Sequence, residues 1–137
     1  MTNPPTVHLA LDDAYDLSVA ALTANGADER NAKAIARVIW RAERDGAASH
    51  GLFRVPAYVE TFQKGKAKGN ANPQITATDG AILRMNADKG FTPLAHEVGL
   101  PALADAARAH GMATLGISRV FHYAALWPEV EALTDQG

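Results

Sequence analysis

The sequence contains no cysteine, which excludes a disulfide framework, a thiolate metal site and a cysteine nucleophile. It also lacks an excess of either charge: 13 Lys and Arg stand against 15 Asp and Glu, for a net charge of −2. That balance gives no electrostatic ground for a nucleic acid partner or an anionic membrane surface. No apolar stretch approaches the length of a membrane span, and the leader Met1-Thr2-Asn3-Pro4-Pro5 has neither the basic nor the apolar region of a signal peptide. A cytoplasmic location is expected. Gly80, Gly90 and Gly99 do not form the G-x-G-x-x-G pattern of a Rossmann site. His8, His96 and His110 show no ligand spacing to other histidines or to carboxylates, so no metal is expected.

What is present suffices for one core: 137 residues, 47% of them hydrophobic. Residues 6–11 read as a short strand, followed by a helix to Asn25 with Asp12 or Asp13 as its cap and Gly26 as its end. From Asp28 to about Asp45, Ala32, Ile35, Ala36, Ile39 and Ala42 recur at helical spacing, and Gly46 suits the left-handed position that ends a helix. Pro56 opens another short helix, with Tyr58, Val59 and Phe62 on one side. Residues 64–73 form a Lys-rich connection, best read as solvated.

Strands follow at 74–77 and 81–85 around an Asp79-Gly80 turn, and another at 113–118. Between them a helix runs from a Thr92-Pro93 start to His110, with a kink or restart predicted by Gly99 and Pro101. A last helix is expected from Ala124 to about Thr134. The order argues for an α+β (mixed α/β) fold: a helical segment at 1–66, then at 67–137 the start of an α/β domain whose sheet is left incomplete with an open edge.

Two clusters carry candidate chemistry. In Ser49-His50-Gly51-Leu52-Phe53-Arg54, an imidazole titrating near neutrality lies four residues from a guanidinium able to hold a carboxylate through two parallel bonds. In a helical turn both fall on one side. A surface pair after a helix is the plainer account, and a serine hydrolase is rejected because no G-x-S-x-G elbow surrounds Ser49. The second cluster, Phe121 to Pro128, follows a predicted strand and offers His122, with Phe121, Tyr123, Leu126 and Trp127 as candidate core aromatics.

These stretches resemble a family. Ala42 to Tyr58, with Ser-His-Gly-Leu-x-Arg at its centre, is similar to the signature of the malate/L-lactate dehydrogenase-like reductases. The likeness continues through Asp88 to Phe91, Ala106 to Gly111 and His122 to Glu131, and is strongest to members that reduce cyclic imines, Δ1-piperideine-2-carboxylate and Δ1-pyrroline-2-carboxylate. The resemblance implies an oxidoreductase that uses NADPH or NADH and moves a hydride to C2 of a 2-imino or 2-oxo acid. It further implies a homodimer whose cofactor domain is not a Rossmann fold. By the same analogy His50 exchanges the proton, Arg54 holds the substrate carboxylate, and Ser49 and His122 line the site; no cofactor-binding residue is assigned.

Family members are more than twice this length, so the chain reads as an N-terminal portion. The alternative is a truncated, non-catalytic paralogue that acts as a binding or oligomerisation module. Where relatives tend to carry Asn-Ser-x-His-Phe, this chain reads Arg119-Val120-Phe121-His122-Tyr123.

Overall fold

A computed structural model of the chain describes residues 7–121 and 124–136. The elements in order are α1 (Leu11–Ala24), α2 (Glu29–Arg44), α3 (Val55–Gln63), β1 (Gln74–Asp79), β2 (Ile82–Asn86), α4 (Thr92–His110), β3 (Thr114–Ser118) and α5 (Pro128–Thr134). The fold is α+β, a helical layer joined to a three-stranded mixed sheet.

Helix α2 is the centre of the helical layer. The Asp28 side chain caps it by accepting a 2.8 Å bond from the Asn31 amide, and its periodic residues Ala32, Ile35, Ala36, Ile39 and Ala42 are all buried. It packs against α1 on one side and α4 on another. Leu22, Ile35, Ile39, Tyr58, Phe62 and Phe91 belong to the larger core cluster. Phe91 meets Tyr58, Phe62 and Phe121 edge-on, with centroid separations of 5.2, 5.2 and 5.5 Å. Such geometry sets the electropositive ring edge against the electronegative face.

The sheet order is β1-β2-β3. β1 and β2 form an antiparallel hairpin that turns at Gly80 in the left-handed region (φ 55°), with a register irregularity between Ile75 and Ala77. β3 returns parallel to β2, pairing Ile82 with Thr114 and Asn86 with Ser118, and α4 makes the crossover between them. Met85, Ala87 and Ala95 form the core beneath α4, with Val98, Leu115 and Ile117 packed on it. Beyond each strand end the chain turns sharply through non-glycine residues with positive φ: Asp88 (53°), Lys89 (61°) and Arg119 (52°). These turns are stitched together by a 2.7 Å bond from the Lys89 amide to the Arg119 carbonyl.

Five expectations are corrected. Residues 7–10 form no strand, since Val7 and Leu9 are exposed and no neighbouring strand supplies a ladder. Asp12 and Asp13 are not caps; they lie in the first turn of α1, where their charge meets the positive end of the helix dipole. Helix α4 runs unbroken through Gly99 and Pro101: a Cβ on Gly99 would lie 2.6 Å from Leu115 and 3.0 Å from Met85, so the missing side chain lets the helix seat directly on the sheet. In the same helix Thr92, which the Thr92-Pro93 pair suggests as the cap, is the first helical residue, because buried Phe91 takes the extended cap conformation. Finally, α5 begins at Pro128 rather than Ala124, the ring being suited to a first turn where no amide is needed.

The Lys-rich loop is engaged internally: Lys64 pairs with Glu60 and Lys68 with Asp88. Because Phe91 joins three rings from different parts of the chain, Phe91→Ala is expected to destabilise the fold by about 3–5 kcal/mol. Urea unfolding followed by tryptophan fluorescence measures this.

Candidate active site

After α2 ends at Arg44, Gly46 takes the left-handed conformation that turns the chain away. Residues Ala48–His50 and Leu52–Arg54 then form two short 3-10 turns, hinged at Gly51. The expected single helical turn is thus split, yet the cluster still closes on itself. Ser49 Oγ lies 3.0 Å from His50 Nδ1, and Arg54 Nε donates a 2.8 Å bond to the Ser49 carbonyl. Ser49 is exposed, while His50 and Arg54 are half-buried.

The segment is clamped to α2 by Glu43, whose carboxylate accepts a 2.7 Å bond from the Leu52 amide. Gly51 lies so close that a Cβ there would fall 1.9 Å from Glu43 Oε1. A side chain at 51 can be admitted only if Glu43 swings away and releases Leu52. Nearby, burial pushes the Tyr58 phenol above its ordinary pKa, with the charge of Arg54 opposing the shift.

A second connection reaches the same place from the far end of the chain. The His50 imidazole and the Trp127 indole stand edge to face with centroids 6.2 Å apart. Trp127 Nε1 donates a 2.8 Å bond to Asp45 Oδ2. The two clusters singled out in the sequence therefore meet, although they are separated by some 70 positions. His122 and Tyr123 lie outside the described residues. Of the other large apolar residues expected in the core, Phe121 and Leu126 are exposed and Trp127 is half-buried. Asp45, Glu43 and Trp127 were not picked out as site residues; Asp45 and Glu43 stand inside the motif, but only the fold reveals their partners.

A cavity of about 280 Å³ opens between α2, α4 and α5. Its wall includes Arg37, Arg41, His96 and Glu129, and none of Ser49, His50 and Arg54 lines it. Arg37 is held by two 2.7 Å bonds to Glu97. Burial pushes His96 below its ordinary pKa of 6.5, with Glu129 opposing.

Among the described residues, no group of three His, Asp or Glu side chains is gathered for a metal. Of the helix starts, that of α2 is occupied by the Asp28 carboxylate and that of α4 is buried, so these two offer no open amides to a phosphate.

The described residues thus form an α+β fold in which Ser49, His50 and Arg54 gather on a glycine-hinged turn. Comparison with known proteins gives the family: a sequence model described as malate/L-lactate dehydrogenase matches residues 9–137, and the chain belongs to that family. It is 40% identical over 131 residues to Delta(1)-pyrroline-2-carboxylate reductase 1 of Burkholderia ambifaria, covering 96% of this chain and 38% of that protein. A Delta(1)-pyrroline-2-carboxylate reductase of Ancylobacter novellus is 43% identical over the same length, with the same coverage. Among solved structures, the delta1-piperideine-2-carboxylate reductase of Pseudomonas syringae pvar. tomato superposes with a TM-score of 0.90 at 34% identity, over 96% of this chain and 40% of that one. The chain thus spans about two fifths of the length of these relatives.

Two outcomes follow from the site's surroundings. Glu43→Ala and Gly51→Ala are each expected to cost about 1–2 kcal/mol, the worth of the Leu52 bond. The double variant is expected to cost less than the sum, since both break the same bond, and a double-mutant cycle in urea reads this. For His96, the depressed pKa means that the folded state resists a proton the unfolded chain takes up. Stability is therefore complete above about pH 6.5 and falls as the pH drops through the lowered value. His96→Gln should flatten that decline in thermal melts between pH 7.5 and 5.

Proposed function

We propose that the chain is part of an NAD(P)H-dependent reductase of cyclic 2-imino acids, of the Δ1-pyrroline-2-carboxylate and Δ1-piperideine-2-carboxylate type. The observation that carries this reading is the closed Ser49–His50–Arg54 cluster. Pyrroline-2-carboxylate reductases 40% and 43% identical over nearly the whole chain support it.

A bound nicotinamide would supply the hydride; what the residues of this chain supply is a proton and an anchor. In the imidazolium form, His50 Nδ1–H donates to Ser49 Oγ and the Nε2 proton remains for the substrate nitrogen. When that proton leaves, the neutral ring keeps Nδ1–H and the same bond to Ser49, so the ring does not need to turn over. Arg54 spends Nε on the Ser49 carbonyl, which makes its two Nη groups the donors for the substrate carboxylate. That fixes C2 and the imine nitrogen relative to His50, and orientation of this kind accounts for much of an enzyme's advantage. His122 is assigned to the lining of the same site by family resemblance, the partner in solution is a second copy of the protein, and the choice between NADH and NADPH is left to experiment.

The test is NAD(P)H oxidation followed by absorbance, with Δ1-piperideine-2-carboxylate, Δ1-pyrroline-2-carboxylate and pyruvate as substrates. Turnover with the cyclic imines is expected to fall about 10²- to 10⁴-fold in His50→Ala, chiefly in kcat. Arg54→Ala should act chiefly on KM, raising it by about tenfold or more. A wild-type protein that binds NAD(P)H but reduces none of the three compounds sinks the substrate assignment. Retained turnover in His50→Ala sinks the proton role.

A further inference from the structure

We propose that Asp45 is a positioning residue for His50, acting through Trp127. Asp45 closes the C-terminus of α2, where a negative charge meets the negative end of the helix dipole. Helix stability alone does not favour a carboxylate at that point. What it does there is shown by its bonds. Arg44 grips it with two, Nε to Oδ1 at 2.7 Å and Nη2 to Oδ2 at 2.9 Å. Oδ2 also accepts the Trp127 indole N–H at 2.8 Å. The carboxylate cannot rotate without breaking a charged pair, so the acceptor offered to Trp127 is fixed in direction.

Arg44 is itself held from two further sides. Its Nη2 donates a 2.8 Å bond to Glu131 on α5, and its guanidinium lies 5.5 Å from the centre of the Trp40 ring. Trp127 sits immediately before α5, and its indole is the ring that stands at 74° to His50. Two contacts therefore define the His50 imidazole. Ser49 Oγ engages Nδ1 and sets which nitrogen faces outward. Trp127 sets the plane of the ring, and Asp45 determines where Trp127 stands.

The Arg44–Glu131 and Arg41–Glu131 pairs already tie α5 to α2, so the Asp45–Trp127 bond is not needed for that. The Arg44 hydrogen bonds are also the leading cause that lowers the Asp45 pKa from its ordinary value, in keeping with a charged acceptor.

The test is nuclear magnetic resonance of the 137-residue chain, reading the Overhauser contacts between the His50 ring protons and the Trp127 indole. Asp45→Ala is expected to reduce these contacts at least threefold, with His50 ring signals moving toward averaged positions. Asp45→Asn keeps an oxygen acceptor while losing the charge, and should retain more than half of the contact intensity. Undiminished contacts in Asp45→Ala overturn the proposal, as does an equal loss in both variants.

The effect on turnover rests on His50 being the proton donor, as proposed above. Where the wild-type protein turns over, kcat in Asp45→Ala should fall about tenfold, with KM changed less than twofold and Asp45→Asn closer to wild type. The spectroscopic readout does not depend on turnover. An inactive wild-type protein whose contacts are lost only in Asp45→Ala fails the functional reading and supports this one.

Discussion

Phe91 occupies the point where the separate parts of the chain must agree. Its ring meets those of Tyr58 and Phe62 from α3 and of Phe121 from the segment after β3 at steep angles, while its backbone forms the cap of α4. Aromatic rings bury large areas, so the three buried ones, Tyr58, Phe62 and Phe91, are a large share of what holds a chain of this size together, and the exposed Phe121 packs onto them. The consequence for the site is geometric. The Ser49-His50 turn leads into α3, and Phe121 leads into the strand of chain that carries Trp127. Both are referred to the same ring, so a shift of one relative to the other has to be absorbed by the centre of the core, which packs too densely to yield.

Helix α2 carries the other half of the arrangement. Its alanine-rich buried face lets α1 and α4 approach closely. Its last turn bears Arg41 and Arg44, cations that suit the negative end of the dipole and that also receive Glu131 from α5. The carboxylates Glu43 and Asp45 use the same turn for a different purpose, each reaching a segment of the candidate site: one the Leu52 amide, the other the Trp127 indole. A single rigid element therefore presents both clusters.

Much of this was legible in the sequence because it is local. The buried stripe of α2 declares itself through 3-4 spacing, the β1–β2 hairpin through Asp79-Gly80, and the Ser49-His50-Arg54 cluster through proximity along the chain. What could not be read depends on distance. The parallel pairing of β3 with β2 requires α4 to cross the sheet, and nothing in a five-residue strand announces which neighbour it will choose. Gly99 looks like a break when only the helix is considered, and becomes a seat once the sheet lies beneath. Trp127 was taken for a core ring, because its apolar bulk is visible in the sequence and its carboxylate partner, 82 residues away, is not.

The left-handed turn at Arg119 has a further meaning. An L-residue with a Cβ pays for that conformation in steric repulsion, about 1–2 kcal/mol, and asparagine tolerates it better than most because its short amide can bond to the local backbone. Resemblance puts an asparagine at this place in relatives, whereas here an arginine adopts the turn, with its carbonyl bound by Lys89. The main chain holds a shape that its own side chain does not favour. The surrounding fold, and not the residue, is what dictates the path by which the chain leaves β3 and enters the site.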